Sequence, residues 1–350
     1  MSLKKYYVTG NTAKGFVNFL AENVMDLDEI IVLQHDSHTL KTTILKQMIH
    51  VWKHQYDIEV LLSPFGQKYV EGVIVREQSF AVVTEEAVPE TMPRTRKIAL
   101  EKYVDDQVDN EQFSRIHRLI DEQLNTAYNY FATGLTIHDD LEAIYIHQMD
   151  FKKADALADQ LLTNILSNVD KRDRTSSVYR RLFGTNTPEG AVNIVPELLS
   201  PMYKNYYLKG RAGTGKSTLM KRIVAACKDY GLDLELYHCS FDPDSIDMVI
   251  IHDLNVSIFD STDPHEFFPK YEEDEIIDMY EETVTPGTDE TYQKEIKRIT
   301  EQYKSYMKKG MTHVREAGRL LDQVESEITV HHHDAQAIAI AEDIIDKLNH

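Results

Sequence analysis

The chain repeats itself at an offset of 175 residues, and nothing else in the sequence constrains its fold as tightly. LQHDSHTLKTTILK (33–46) laid on LKGRAGTGKSTLMK (208–221) pairs Leu33 with Leu208, Thr39 with Thr214, Lys41 with Lys216, Thr43 with Thr218 and Lys46 with Lys221. Upstream, Asn11, Thr12, Gly15, Val17 and Asn18 recur as Asn186, Thr187, Gly190, Val192 and Asn193. Downstream, after one inserted residue, Glu59, Phe65, Val73 and Ile74 recur as Glu235, Phe241, Val249 and Ile250, and Tyr130, Gly134 and Thr136 as Tyr306, Gly310 and Thr312. Asp150 and Asp334 each precede an amphipathic stretch. A repeat of this extent calls for two copies of one fold. The boundary is expected near 170–178, giving domains 1–173 and 174–350.

The second copy holds the pattern G-x-x-x-x-G-K-[ST] at Gly210–Ser217. Such a loop wraps backbone N–H groups around phosphates, so glycines supply positive φ and close approach. The phosphate-binding residues are then Gly210, Arg211, Ala212, Gly213, Thr214, Gly215, Lys216, Ser217 and Thr218. Lys216 would reach the β- and γ-phosphates and Ser217 would ligate Mg²⁺, at the positive end of the following helix. In the first copy His35, His38 and Leu40 fall on Gly210, Gly213 and Gly215, and Thr42 on Ser217. That copy keeps a lysine and a hydroxyl but no glycine cradle. Lys41 is expected at the surface, a phosphate contact being the alternative.

A phosphate loop of this kind needs a carboxylate at the end of a neighbouring strand to hold Mg²⁺. Val256–Asp260 supplies Asp260, whose first-copy counterpart is Thr84, so the group looks lost there. CSFDPDSID offers Asp242, Asp244 and Asp247 beyond the second strand; Asp242 is the candidate general base or water-positioning group. Thr262 and His265, just past Asp260, are candidates for sensing a γ-phosphate. The run His331–His333 has no second ligand cluster, and its spacing does not favour a metal site. Without N-K-x-D, or D-x-x-G after Asp260, ATP is favoured over GTP.

Each copy reads as strand, loop and helix, then a second strand (Glu59–Leu62 or Glu235–Cys239) and a further β segment (Phe80–Val83 or Val256–Phe259). That order predicts an α/β fold, a parallel sheet flanked by helices in each of two tandem P-loop NTPase-like domains. Each then carries a long helical segment. Phe113, Ile116, Ile120, Leu124, Tyr128, Phe131 and Leu135 keep helical spacing in one, Ile296, Ile299, Tyr303, Val314, Leu321, Val324 and Ile328 in the other. These are core stripes, or alternatively a lid or a surface for a protein partner. Glu272–Glu282 is expected to be a solvated helical face.

A formal charge of −20 opposes non-specific binding to nucleic acid or anionic membranes. The opening MSLKKYYVTG lacks the marks of a leader, and no apolar run approaches the ~18 residues of a membrane span. The expectation is a cytoplasmic protein without membrane attachment. Cys227 and Cys239 are the only cysteines, which excludes a disulfide framework.

GNT-x-KG-F (10–16), GRAGTGKSTLMK (210–221), HCSFDPDSID (238–247) and DSTDPH (260–265) together resemble a poorly characterised bacterial family of duplicated P-loop ATPase-like proteins, widespread in Gram-positive lineages. The resemblance implies ATP binding at Gly210, Gly213, Gly215, Lys216, Ser217 and Thr218, and supplies no substrate. The expected activity is Mg²⁺-dependent ATP binding with slow hydrolysis by the second copy. Lys216 would neutralise phosphate, Ser217 and Asp260 hold Mg²⁺, and Asp242 or His265 handle water or acceptor. The first copy would be a scaffold or regulator. Two alternatives are a kinase acting on a small molecule or nucleotide, and a non-catalytic nucleotide switch that binds a protein through the helices.

Overall fold

The computed structural model describes residues 1–89, 91–102, 110–263, 265–329 and 334–348. The first copy runs β1 (Leu3–Tyr6), β2 (Thr9–Thr12), β3 (Gly15–Asn18), α1 (Leu20–Val24), β4 (Glu29–Gln34), α2 (His38–Trp52), β5 (Ile58–Leu62), β6 (Val70–Val75), β7 (Phe80–Thr84), β8 (Thr95–Ala99), α3 (Asn110–Ile146) and α4 (Phe151–Leu166). The second repeats it as β9 (Val178–Leu182), β10 (Gly184–Thr187), β11 (Gly190–Asn193), α5 (Val195–Leu199), β12 (Lys204–Lys209), α6 (Lys216–Asp229), β13 (Leu234–His238), β14 (Ile246–Ile251), β15 (Val256–Asp260) and β16 (Glu275–Asp278). It ends with α7 (Met279–Thr283), α8 (Thr288–Thr291), α9 (Gln293–Thr329) and α10 (Asp334–Leu348).

The protein is thus α/β, with a duplicated layout of two six-stranded sheets and flanking helices. The sheets are mixed, which corrects the parallel sheet expected from the sequence. Their orders are β1-β5-β6-β7-β4-β8 and β16-β12-β15-β14-β13-β9. β6 and β14 run antiparallel to both neighbours, while β7 and β15 run parallel to β4 and β12. The cause lies in chain length. Only residues 63–69 join β5 to β6 and only 239–245 join β13 to β14, too few for a helical crossover, so the chain turns straight back. The segment 272–282 runs into the helix Met279–Thr283, and one stretch before that helix is a correction. Glu275–Asp278 pairs with β12 as an edge strand instead of forming one face of a helix.

By internal contacts the chain forms two compact units. Unit 1 comprises Met1–Asn129, Leu182–Ile194 and Lys309–His350; unit 2 comprises Tyr130–Arg181 and Val195–Lys308. Each unit therefore takes its sheet from one copy and part of its helices from the other. In unit 1, Ala337, Ile340, Ala341 and Ile344 of α10 pack on Ile44, Leu45, Met48 and Trp52 of α2. In unit 2, Ala158, Leu161 and Ile165 of α4 pack with Leu219, Met220, Ile223 and Cys227 of α6. The helical stripes are largely core: Phe113, Ile116 and Ile120 meet Leu321, Val324 and Ile328 in unit 1. Unit 1 also holds both hairpins, β2-β3 and β10-β11. Among the described residues no helix is long and apolar enough to cross a membrane.

Candidate functional site

In unit 2 the strand β12 runs into Gly210, and α6 begins at Lys216. Two glycines between them are conformationally required. Gly213 and Gly215 have φ of +74° and +82°, a region that side chains with a Cβ adopt only at a cost. Gly213 is also sterically fixed: a Cβ there would lie 2.4 Å from the carbonyl oxygen of Glu142 in α3. Thr214 Oγ1 donates to the Arg211 carbonyl at 2.8 Å, tying the loop to itself.

Lys216 folds back over this loop. Its ammonium donates to the Arg211 carbonyl at 2.6 Å and lies 3.7 Å from Asp260 Oδ2, with the residue only 7% exposed. Asp260 is brought there because β15 is the direct parallel neighbour of β12, Leu208 pairing with Asp260. Thr262 Oγ1 donates to Asp260 Oδ1 at 2.8 Å, and the His265 N–H donates to the Thr262 carbonyl at 2.7 Å. Burial lowers the pKa of the His265 ring, against the opposing charges of Asp260 and Asp263. Ser217 Oγ accepts from the Ile246 N–H at 3.4 Å, which anchors the start of α6 to β14. Lys216 and Asp260 thus lie side by side, Thr214 and Ser217 flank the lysine along the chain, and Thr262 and His265 follow Asp260. Thr218 is exposed on the first turn of α6, and Ala212 is half-buried in the loop.

Arg211 turns away from the loop interior. Its guanidinium pairs with Asp289 at 2.9 Å and stacks over Tyr280, while the Tyr145 hydroxyl donates to the other Asp289 oxygen at 2.8 Å.

The acidic loop brings a second carboxylate, besides Asp242, toward Asp260. β14 pairs Met248 with Phe259, so the register carries Asp247 opposite Asp260. Asp247 is buried, accepts from Ser245 Oγ at 3.2 Å, and has a pKa pushed up to about 7, by burial first and then by the charge of Asp260. Asp242 is half-buried and its charge acts on His138 and Glu142 of α3. Burial lowers the His138 pKa and, with Asp139 and Asp242, raises that of Glu142; their side chains lie 3.6 Å apart. Sequence reasoning missed Glu142, His138 and Asp289. They come from helices remote in sequence, and no spacing tied them to the loop.

Unit 1 retains a version of the same pair. Lys41, expected at the surface, is fully buried and bonded to Glu86, with Glu85 Oε1 3.6 Å away. The carboxylate is therefore kept, two residues beyond Thr84, correcting the expectation that this copy had lost it. Glu71 takes the place of Asp247: Gly72 pairs with Val83, which brings Glu71 opposite Thr84. The Thr9 and Ser63 hydroxyls donate to its carboxyl. Burial, aided by the charge of Glu86, pushes its pKa up to about 8.

His331–His333 lies outside the described residues, and among the described residues no cluster of His, Cys, Asp and Glu could hold a metal by itself. Cys227 is a buried core residue whose thiol pKa is pushed up to about 12 by burial; Cys239, half-buried, is free as well. The chain matches no known family model, no curated protein and no solved structure.

Proposed function

We propose that unit 2 binds Mg²⁺-ATP through Gly210–Thr218 and hydrolyses it slowly, as a member of the P-loop NTPase class, while the first copy serves as a scaffold or regulator without nucleotide. The observation that carries this reading is the position of Lys216: at the head of a helix, folded over a glycine loop, beside a strand-end aspartate. A triphosphate needs that donor set, namely loop and helix N–H groups, one ammonium, and a hydroxyl with a carboxylate for the metal. Ser217 and Asp260 are the proposed Mg²⁺ ligands, and the bound ion would neutralise charge on the phosphates. Lys216, held by a carbonyl at rest, would exchange that bond for a phosphate oxygen. Asp242 and His265 remain the candidates for orienting water or an acceptor.

The test is Mg²⁺-ATP binding and phosphate release measured side by side for the native protein and Lys216→Ala. Both signals should disappear in the variant. Binding that survives in Lys216→Ala would place the nucleotide elsewhere. Phosphate appearing only when an acceptor is added would move the reading to a kinase.

A second reading, a nucleotide switch, is favoured by the Gly213–Glu142 contact, since a change in the loop would press directly on α3. Its mark would be tight binding without turnover, with nucleotide-dependent protease protection of α3.

A further inference from the structure

We infer that unit 1 keeps an oxyanion-binding site at the head of α2, and that its resident anion is the protein's own Glu325. The side chain of Glu325 is brought there by α9 and is only 5% exposed. Glu325 Oε1 accepts from the His38 N–H at 2.6 Å, and Oε2 accepts from the Thr39 N–H at 3.1 Å and the Ser37 hydroxyl at 3.0 Å. Ser37 itself caps α2, its Oγ accepting from the Leu40 N–H at 3.0 Å. A buried carboxylate on successive N–H groups at the start of a 15-residue helix is the arrangement in which helix ends hold phosphate or sulfate.

The repeat fixes which N–H groups these are. At the offset of 175, His38 and Thr39 stand where Gly213 and Thr214 stand in the intact loop, three and two residues before the lysine. Glu325 therefore accepts from the N–H groups that correspond to those of Gly213 and Thr214, in the copy that has no glycines. Lys41 is buried beside Glu86 and Glu85, and the His38 ring lies 3.5 Å from Glu86. Unit 2 supplies the contrast. At the matching loop position, Gly213, the neighbouring helix residue is Glu142 of α3. Glu142 presents its backbone carbonyl to Gly213 and its carboxylate to His138. One copy is filled by a side chain; in the other the carboxylate beside the loop is turned to a histidine.

The role that follows is a built-in plug. It satisfies the head of α2 without any ligand, ties the end of α9 to α2, and denies the site to phosphate while it is in place. This rests on geometry in unit 1 and stands whether or not unit 2 binds ATP.

The test uses the full chain carrying Lys216→Ala, so that anions bound by the unit 2 loop do not contribute. Adding Glu325→Ala should lower the melting temperature by roughly 5 °C, and millimolar inorganic phosphate or sulfate should restore most of that loss while chloride at matched ionic strength does not. The Lys216→Ala parent should show no such anion-specific gain. Glu325→Gln, which keeps the shape and removes the charge, should also melt below the parent. The inference is overturned if Glu325→Gln melts at or above the parent, or if Glu325→Ala gains no more from phosphate than from chloride.

Discussion

Asn11 and Asn186 hold each other: the Asn11 side-chain amide donates to the Asn186 carbonyl at 2.8 Å, and the Asn186 amide donates to the Asn11 carbonyl at 2.9 Å. Both are buried in unit 1, on the two small hairpins, and the Asn11 N–H also donates to Thr185 Oγ1 at 3.0 Å. The exchange is reciprocal because the two residues are copies of one another. The recurring Gly-Asn-Thr and Thr-Asn-Thr motifs are thereby explained as a joint between duplicated hairpins.

Asn11→Ala removes the amide that donates to the Asn186 and Pro64 carbonyls and accepts from the Tyr128 hydroxyl, so unfolding in urea should show a loss of about 1–3 kcal/mol. Asn186→Ala should cost a similar amount. Because the two share one network, the double variant should lose less than the sum of the singles.

At Gly213 the expected damage is to the loop rather than to the core. Gly213→Ala puts a Cβ on a φ of +74° and against the Glu142 carbonyl. Stability should fall by about 1–3 kcal/mol, and Mg²⁺-ATP affinity should drop at least tenfold as the loop opens. Calorimetric titration of the folded variant would read the second effect separately from the first.

Glu71 makes the stability of unit 1 pH-dependent. Its pKa is raised from 4.5 to about 8, so the buried carboxyl stays protonated where the unfolded chain would ionise. The stability it contributes is fully present below about 4.5 and is lost as pH rises through about 8. Glu71→Gln should flatten this decline, and at pH 8 the variant should melt higher than the native protein. A native decline between pH 5 and 8 that the substitution leaves unchanged would contradict the assignment.

Much of this architecture is legible in the sequence because it is local or repeated. The glycines and Lys216-Ser217 announce the loop, the 3.6-residue stripes announce α3 and α9, and the offset between copies announces the duplication. The antiparallel strands β6 and β14 were hidden by length: Val70–Val75 and Ile246–Ile251 are apolar runs that carry no sign of direction, and only the short preceding connections reveal it. Lys41 was misplaced because a lysine without glycines gives no hint of Glu86, which stands one residue beyond Glu85 and two beyond the counterpart of Asp260. Glu325 could not have been found. It lies 284 residues from Lys41, on a helix that no spacing ties to the loop.

The central claim is one working phosphate loop and one copy filled from within, and the stoichiometry of Mg²⁺-ATP binding by titration calorimetry tests it most directly. The account predicts one nucleotide per chain in the native protein and none in Lys216→Ala. Two nucleotides per chain, or one retained in Lys216→Ala, would contradict it.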